Sequence, residues 1–336
     1  MDLLIDTKGA ALRKRRDRLV VAVEGRRDEY AISDVDQVVL GPGVSVTSDA
    51  LLLAAEHGTD VVVTDWREDP RGRLVTGALM GAALTKRHQL AALHDPRGVR
   101  IAWELAKAKC RNQANLLSRV DRDRPDPRVQ EAVRRIRATV TAFDPSGASS
   151  VAEVRPGIFA AEGGAGRLYM EALGLVLPAE LGFHGRNRRP PRDVVNAALS
   201  YGYGILHSQV QRALFLVGLE PSMGFLHVDR WGRSSLTLDA MEIFRQPLID
   251  RAVLTLARRG QLRPDEHTEP HGPGLYLSAD GRRLVAGQVF ERLAATFTYR
   301  AQTVTWKQAI VLEARAIASY LLGHRSLYRA YIHRWA

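Results

Sequence analysis

Cysteine is almost missing from this chain. Cys110 is the single one in 336 residues, so no intramolecular disulfide is possible and a zinc knuckle has no partner thiol. Long apolar runs are missing too: none approaches the roughly 18 residues needed to span a bilayer. The start, Met1 to Gly9, has no basic segment followed by an apolar stretch, which speaks against a secretory signal. No low-complexity tract or internal repeat stands out. A cytoplasmic protein with no membrane partner is the expectation.

What is present is ordinary for a globular protein, 46% hydrophobic and 25% charged, and the length predicts about two domains. The net charge of +11 is unevenly placed. Residues 1–90 carry 13 Lys+Arg against 14 Asp+Glu, and the rest holds 35 against 23. All the excess positive charge lies in the C-terminal three-quarters. That asymmetry suits a polyanion, most commonly nucleic acid. Arginine used only for solubility would give the same count.

The pattern predicts an α+β chain: a small N-terminal β-rich domain (1–85), a linker (86–98), and a larger all-helical domain (99–336). Val20–Val23, Ala31–Ser33 and Gln37–Leu40 read as short strands between charged or Gly-rich turns. Thr47 then caps a helix that closes at Gly58, and Asp60–Asp65 reads as a buried strand. The linker falls in a Pro- and Gly-bearing stretch that includes the basic run Lys86–His88. Beyond it, Ile101, Leu105, Ala108, Asn112 and Leu116 recur at helical intervals, and the same period returns at 129–140, 194–216, 236–257 and 309–322. Asp144–Ser150 reads as a loop.

Four segments of the helical part could carry chemistry. Glu162 is followed by Gly163, Gly164, Ala165 and Gly166, small residues that leave helix backbone open to close approach, and Tyr169 shares its face. A glutamate near a helix start is usually a surface residue that merely complements the dipole. Gly224-Phe225-Leu226-His227 follows a Pro221 turn, and a lone histidine is often structural. In Leu238-Asp239-Ala240-Met241-Glu242-Ile243, the two acids sit three apart on one helical face near the core and need a cation, arginine or metal. One imidazole with two or three carboxylates suits Mg²⁺ or Mn²⁺ better than structural zinc. Arg186, Arg188, Arg189 and Arg192 fall within seven residues ahead of a helix started by Pro190-Pro191, a restrained loop suited to bidentate phosphate contacts or simply to solvent. For Asn196, Tyr201 and Tyr203, on the next helix, buried packing and a site role stay open.

These blocks resemble the CRISPR-associated protein one family. Glu162-Gly163 to Tyr169 is similar to its Glu-Gly-x-x-Ala-x-x-Tyr block, and Arg186 to Tyr203 to its Arg-x-Arg-Pro-Pro-x-Asp-x-x-Asn block ending in Tyr-Gly-Tyr. Gly224 to His227 and Leu238 to Arg245 complete the set in family order, and Ala106-Lys107-Ala108-Lys109 with Asn112-Gln113 resembles the family's first long helix. The resemblance spans nearly the whole chain. It implies a DNA integrase and endonuclease of spacer acquisition, with Glu162, His227 and Glu242 as ligands of Mg²⁺ or Mn²⁺ and Asp239 in an accessory catalytic role. It implies double-stranded DNA as substrate, both a donor duplex and CRISPR repeat DNA. It also implies a homodimer formed through the β-domain and bridged by CRISPR-associated protein two. Gly166 departs from the family's usual alanine or other small residue, a change that weakens the helix by roughly 1 kcal/mol. A general metal-dependent DNA nuclease of repair or recombination would use the same ligands, and a DNA-binding scaffold would tolerate their loss.

Overall fold

The computed structural model describes residues 1–65, 70–74, 82–145, 147–188 and 190–335, and the chain divides into two compact units, Met1–Leu79 and Met80–Ala336. The first is β-rich. Strands β1 (Asp2–Ile5), β2 (Ala11–Arg15), β3 (Arg18–Val23), β4 (Arg26–Ala31), β5 (Gln37–Leu40) and β6 (Ser45–Val46) precede helix α1 (Ser48–Glu56), β7 (Asp60–Thr64) and β8 (Pro70–Leu74). One sheet has the order β1-β5-β7-β8, parallel except for β8, and the other has the order β4-β3-β2-β6. Leu3, Ile5, Leu12, Leu19, Val38, Leu40, Leu53 and Val61 form the core of this unit. Thr47 caps α1, accepting the Ala50 amide at 3.4 Å. The expected strand at Ala31–Ser33 is instead a 3₁₀ turn, Ile32–Asp34.

The second unit is helical: α2 (Ala82–Ala92), α3 (Pro96–Val120), α4 (Pro127–Ala142), α5 (Val151–Val176), α6 (Val194–Leu216), α7 (Ser235–Met241), α8 (Arg251–Arg258), α9 (Pro264–His267), α10 (Ala279–Ala294) and α11 (Trp306–Leu321). The linker expected at 86–98 is therefore corrected. Lys86–His88 lies on α2, and Asp95 already caps α3. Gln89 accepts the Glu220 amide and donates to the Glu220 and Met223 carbonyls, while Lys86 pairs with the Glu220 carboxylate at 2.9 Å. A segment held this way belongs to the helical unit.

Two hairpins interrupt the helices, β9 (Thr268–His271) with β10 (Gly274–Leu277) and β11 (Thr296–Tyr299) with β12 (Gln302–Thr305). The single helix expected over 236–257 is also broken. Between α7 and α8 lies a π-helical turn, Arg245–Asp250. Pro247 explains it, because proline has no N–H to bond the carbonyl four residues back. That carbonyl, Ile243 O, instead accepts Asn112 Nδ2 of α3 at 2.8 Å. Asn112 Oδ1 in turn takes the His333 amide at 2.8 Å. One buried asparagine so joins α3, the π turn and the C-terminal segment.

Candidate active site

The centre of the helical unit holds two opposed sets of charge. Lys109 of α3 reaches across to the Glu162 carboxylate on α5 and lies 2.8 Å from Glu242 Oε2. Arg245 approaches Glu242 Oε1 at 3.3 Å. Glu242 is 2% exposed. Burial alone would raise its pKa, but Arg245, Lys109 and His227 reverse that and bring it to about 2. Lys109 is raised in turn, because burial, which lowers it, is outweighed by Glu242 and Glu162. Glu162 stands mid-helix in α5, which removes the dipole reading. Added Cβ atoms at Gly163, Gly164 and Gly166 would meet nothing, so the bare backbone beside Glu162 faces open space.

His227 is placed by its neighbour Asp239. The Asp239 carboxylate is fully buried and accepts the amides of Phe225, Leu226 and His227 at 2.6, 2.8 and 2.9 Å, and its Oδ1 also lies 2.6 Å from His227 Nδ1. Asp239 and Glu242 therefore do not work from one face as expected. Asp239 is spent on the 225–227 turn and on fixing the imidazole, which leaves Nε2 as the free ring nitrogen. Gly224 lets this turn pack, since a Cβ there would sit 2.6 Å from Ser235 Cβ and 2.7 Å from His227 O. Gly224→Ala is expected to displace the 225–227 turn and destabilise the protein by about 1–3 kcal/mol. An unchanged urea-unfolding midpoint would show that the turn tolerates the crowding.

A second buried carboxylate, Asp250 at the end of the π turn, accepts Tyr169 Oη at 2.7 Å and Tyr203 Oη at 2.5 Å. Burial raises its pKa despite both hydroxyls. Arg245 stacks over the Tyr203 ring at 4.8 Å, so α5, α6 and the π turn are tied together behind the carboxylates. Tyr169 and Tyr203 thus hold Asp250 in place, and Asn196, fully buried, donates its amide to Asp193, the cap of α6.

Arg186 departs from its expected phosphate-binding role. It donates to Asn187 O, Asn196 Oδ1 and Ser200 Oγ at 2.6, 2.8 and 3.0 Å, holding the loop from within. Arg188 and Arg192 are exposed, and Arg189 lies outside the described residues. A cleft of about 750 Å³ opens beside Lys109 and Arg245, with Gly166, Arg167, Arg186 and Arg188 on its walls. Sequence reasoning missed Lys109 as a site residue and Asp250 altogether. Among the described residues, no three His, Cys, Asp or Glu side chains are gathered closely enough to hold a metal as they stand. The two glutamates share a lysine ammonium instead.

The family described as CRISPR associated protein Cas1 matches residues 3–291 of this chain. A CRISPR-associated endonuclease Cas1 of Archaeoglobus fulgidus is 36% identical over 348 aligned positions covering 100% of both chains. The chain belongs to the Cas1 family. Among solved structures, a casposase bound to integration product superposes with a TM-score of 0.84 at 22% identity, covering 100% of this chain and 94% of that one. A Cas6-RT-Cas1–Cas2 complex gives 0.80 at 22% identity, covering 100% of this chain and 36% of that one. In both, the likeness is one of fold. No described helix is long and apolar enough to cross a membrane.

Proposed function

We propose that this protein is the DNA-joining enzyme of CRISPR spacer acquisition. In this reading, the 3′-hydroxyl of a short donor duplex attacks a phosphodiester at the edge of a repeat, and one phosphodiester is exchanged for another. Hydrolysis at the same centre is the side activity that would register as endonuclease. The observation that carries the reading is the convergence of Glu162 of α5 and Glu242, at the end of α7, from positions far apart in sequence, on the single Lys109 ammonium.

The donor set fits a hard divalent ion. Glu242 Oε2 is buried and close to Lys109, yet receives no well-directed hydrogen bond, and two carboxylates with one imidazole suit Mg²⁺ or Mn²⁺. Glu162, Glu242 and His227 would hold the ion, which supplies a Lewis acid and an acidified hydroxyl. Around it, Asp239 fixes the imidazole tautomer, Arg245 holds Glu242 ionised, and the glycines after Glu162 let a phosphate backbone come close. Arg188, Arg189 and Arg192 position that backbone without reading its sequence. A homodimer joined through the β-rich unit and bridged by a small second subunit completes the proposed assembly, the second subunit being suggested by the fold shared with a Cas6-RT-Cas1–Cas2 complex.

The test is a joining assay with supercoiled repeat DNA, labelled donor duplex and Mg²⁺ or Mn²⁺. Joined product is expected from the wild type and none from Glu162→Ala, His227→Ala or a 3′-blocked donor. Cleavage that proceeds equally with the blocked donor and never yields joined product would make the protein a plain nuclease. Equal joining by His227→Ala would remove that residue from the chemistry.

A further inference from the structure

Four residues past His227, the chain makes a turn that the proposed chemistry does not use. Arg233 N bonds Arg230 O at 3.0 Å, and Gly232 takes φ +70, the conformation a type II β-turn requires at its third position. This places Trp231 at the apex. Trp231 is 104% exposed, the most exposed large hydrophobic side chain among the described residues, and Arg230 beside it is exposed as well. The turn is not loose at its base. Gly224 N bonds the Asp229 carboxylate at 3.0 Å, Ser235 Oγ bonds Val228 O at 3.0 Å, and Gln211 holds Ser234 at 2.8 Å.

A bare indole on an anchored turn adds nothing to the core and costs solubility. Its π face stacks on any nucleobase, and the flanking arginines supply the charge for the phosphates on either side. Four residues of extended chain reach at most about 14 Å, so a strand running past His227 passes within reach of this ring.

We infer that Trp231, flanked by Arg230 and Arg233, is a stacking platform for an unpaired nucleotide of the DNA strand held at the His227 site. The inference rests on the DNA-joining reading and adds a residue to it: the Trp231 indole, and not the arginines around it, is what holds an unpaired base near the reacting end. A base already out of the stack meets the indole without the cost of unstacking, which a blunt duplex must bear.

The test is fluorescence-anisotropy titration of the full chain with a short blunt DNA duplex and with the same duplex carrying a single-stranded 3′ extension. Wild type, Trp231→Ala, Trp231→Leu and Trp231→Phe are compared. The wild type is expected to favour the extended duplex by about tenfold. Trp231→Ala and Trp231→Leu should lose that margin while binding the blunt duplex as before, and Trp231→Phe should keep most of it. The ring is fully exposed, so circular dichroism should show all four proteins folded alike. Equal binding of the extended duplex by wild type and Trp231→Ala overturns the inference. So does an equal loss on both duplexes, or a change of oligomeric state in Trp231→Ala, which would make the ring a protein contact. If the wild type binds neither duplex, the DNA-joining reading itself fails, a result distinct from the others.

Discussion

Replacing Lys109 by methionine should lower the unfolding free energy of the metal-free protein by about 3–5 kcal/mol, the usual cost of removing one member of a buried ion group. The reasoning is local. Glu242 is almost fully buried, and Glu162 is only 14% exposed on its side chain. Methionine fills the volume of the lysine stem but leaves both carboxylates without their shared cation, and Glu242 keeps its ion pair with Arg245. The same substitution should make stability depend on divalent ions. Urea unfolding in EDTA and in Mn²⁺ should differ far more for Lys109→Met than for the wild type, because the ion would take over the charge that the ammonium now supplies. Acid completes the argument. In metal-free wild type, the Glu242 pKa lies near 2, below the ordinary 4.5. Its stabilising contribution is therefore complete above about 4.5 and is lost as the pH falls toward about 2. Without Lys109 the loss should begin at higher pH. A variant as stable as wild type in EDTA would show that the carboxylates do not need the ammonium, and a variant indifferent to Mn²⁺ would show that they cannot share an ion.

How much of this could be read beforehand depended on whether the signal was local. The cap of α1 was legible, because Thr47 bonds an amide three residues on, whereas α6 begins at the Asp193 cap and not at the proline pair expected to start it. The parallel strands Gln37–Leu40 and Asp60–Thr64 were legible as apolar runs. Strands β2 and β4 were not, since their exposed faces carry Arg13, Lys14, Arg26 and Arg27 and the alternation is lost among charges. The β11–β12 hairpin turns on Arg300 and Ala301 at φ +46 and +72, positions where glycine or asparagine would have announced the turn. Helix α2 was hidden because its Lys86 and Gln89 look solvated until Glu220, far along the chain, is placed beside them. The site divides the same way. Glu162, His227 and Glu242 stood out through their blocks, but Lys109 sits in an Ala-Lys-Ala-Lys run that reads as a solvated helix face. Only the packing of α3 on α5 and the π turn turns that ammonium inward. Asp239 was noticed for its spacing to Glu242, and its actual partners, three backbone amides and an imidazole, could be known only from the folded turn.

Asp239→Asn should weaken divalent-ion binding and strand joining by about 10–100-fold, the usual effect of altering the group that orients a ligating histidine. The carboxylate accepts three amides and faces His227 Nδ1, so every neighbour is a donor. An asparagine NH₂ in this pocket must point one donor at another, and each unpaired polar group left inside costs about 1–3 kcal/mol. The turn should therefore loosen and the imidazole lose its fixed tautomer, while Glu162 and Glu242 stay where Lys109 and Arg245 hold them. DNA affinity should change little, because Asp239 is fully buried and touches no surface that DNA could reach. The discriminating measurement is a double-mutant cycle. If Asp239 acts through His227, then adding Asp239→Asn to His227→Ala should cost almost nothing further in Mn²⁺ affinity, since the histidine it served is already gone. Two losses that simply add would mean that Asp239 reaches the ion site by a route of its own, and the orienting role assigned to it would be wrong.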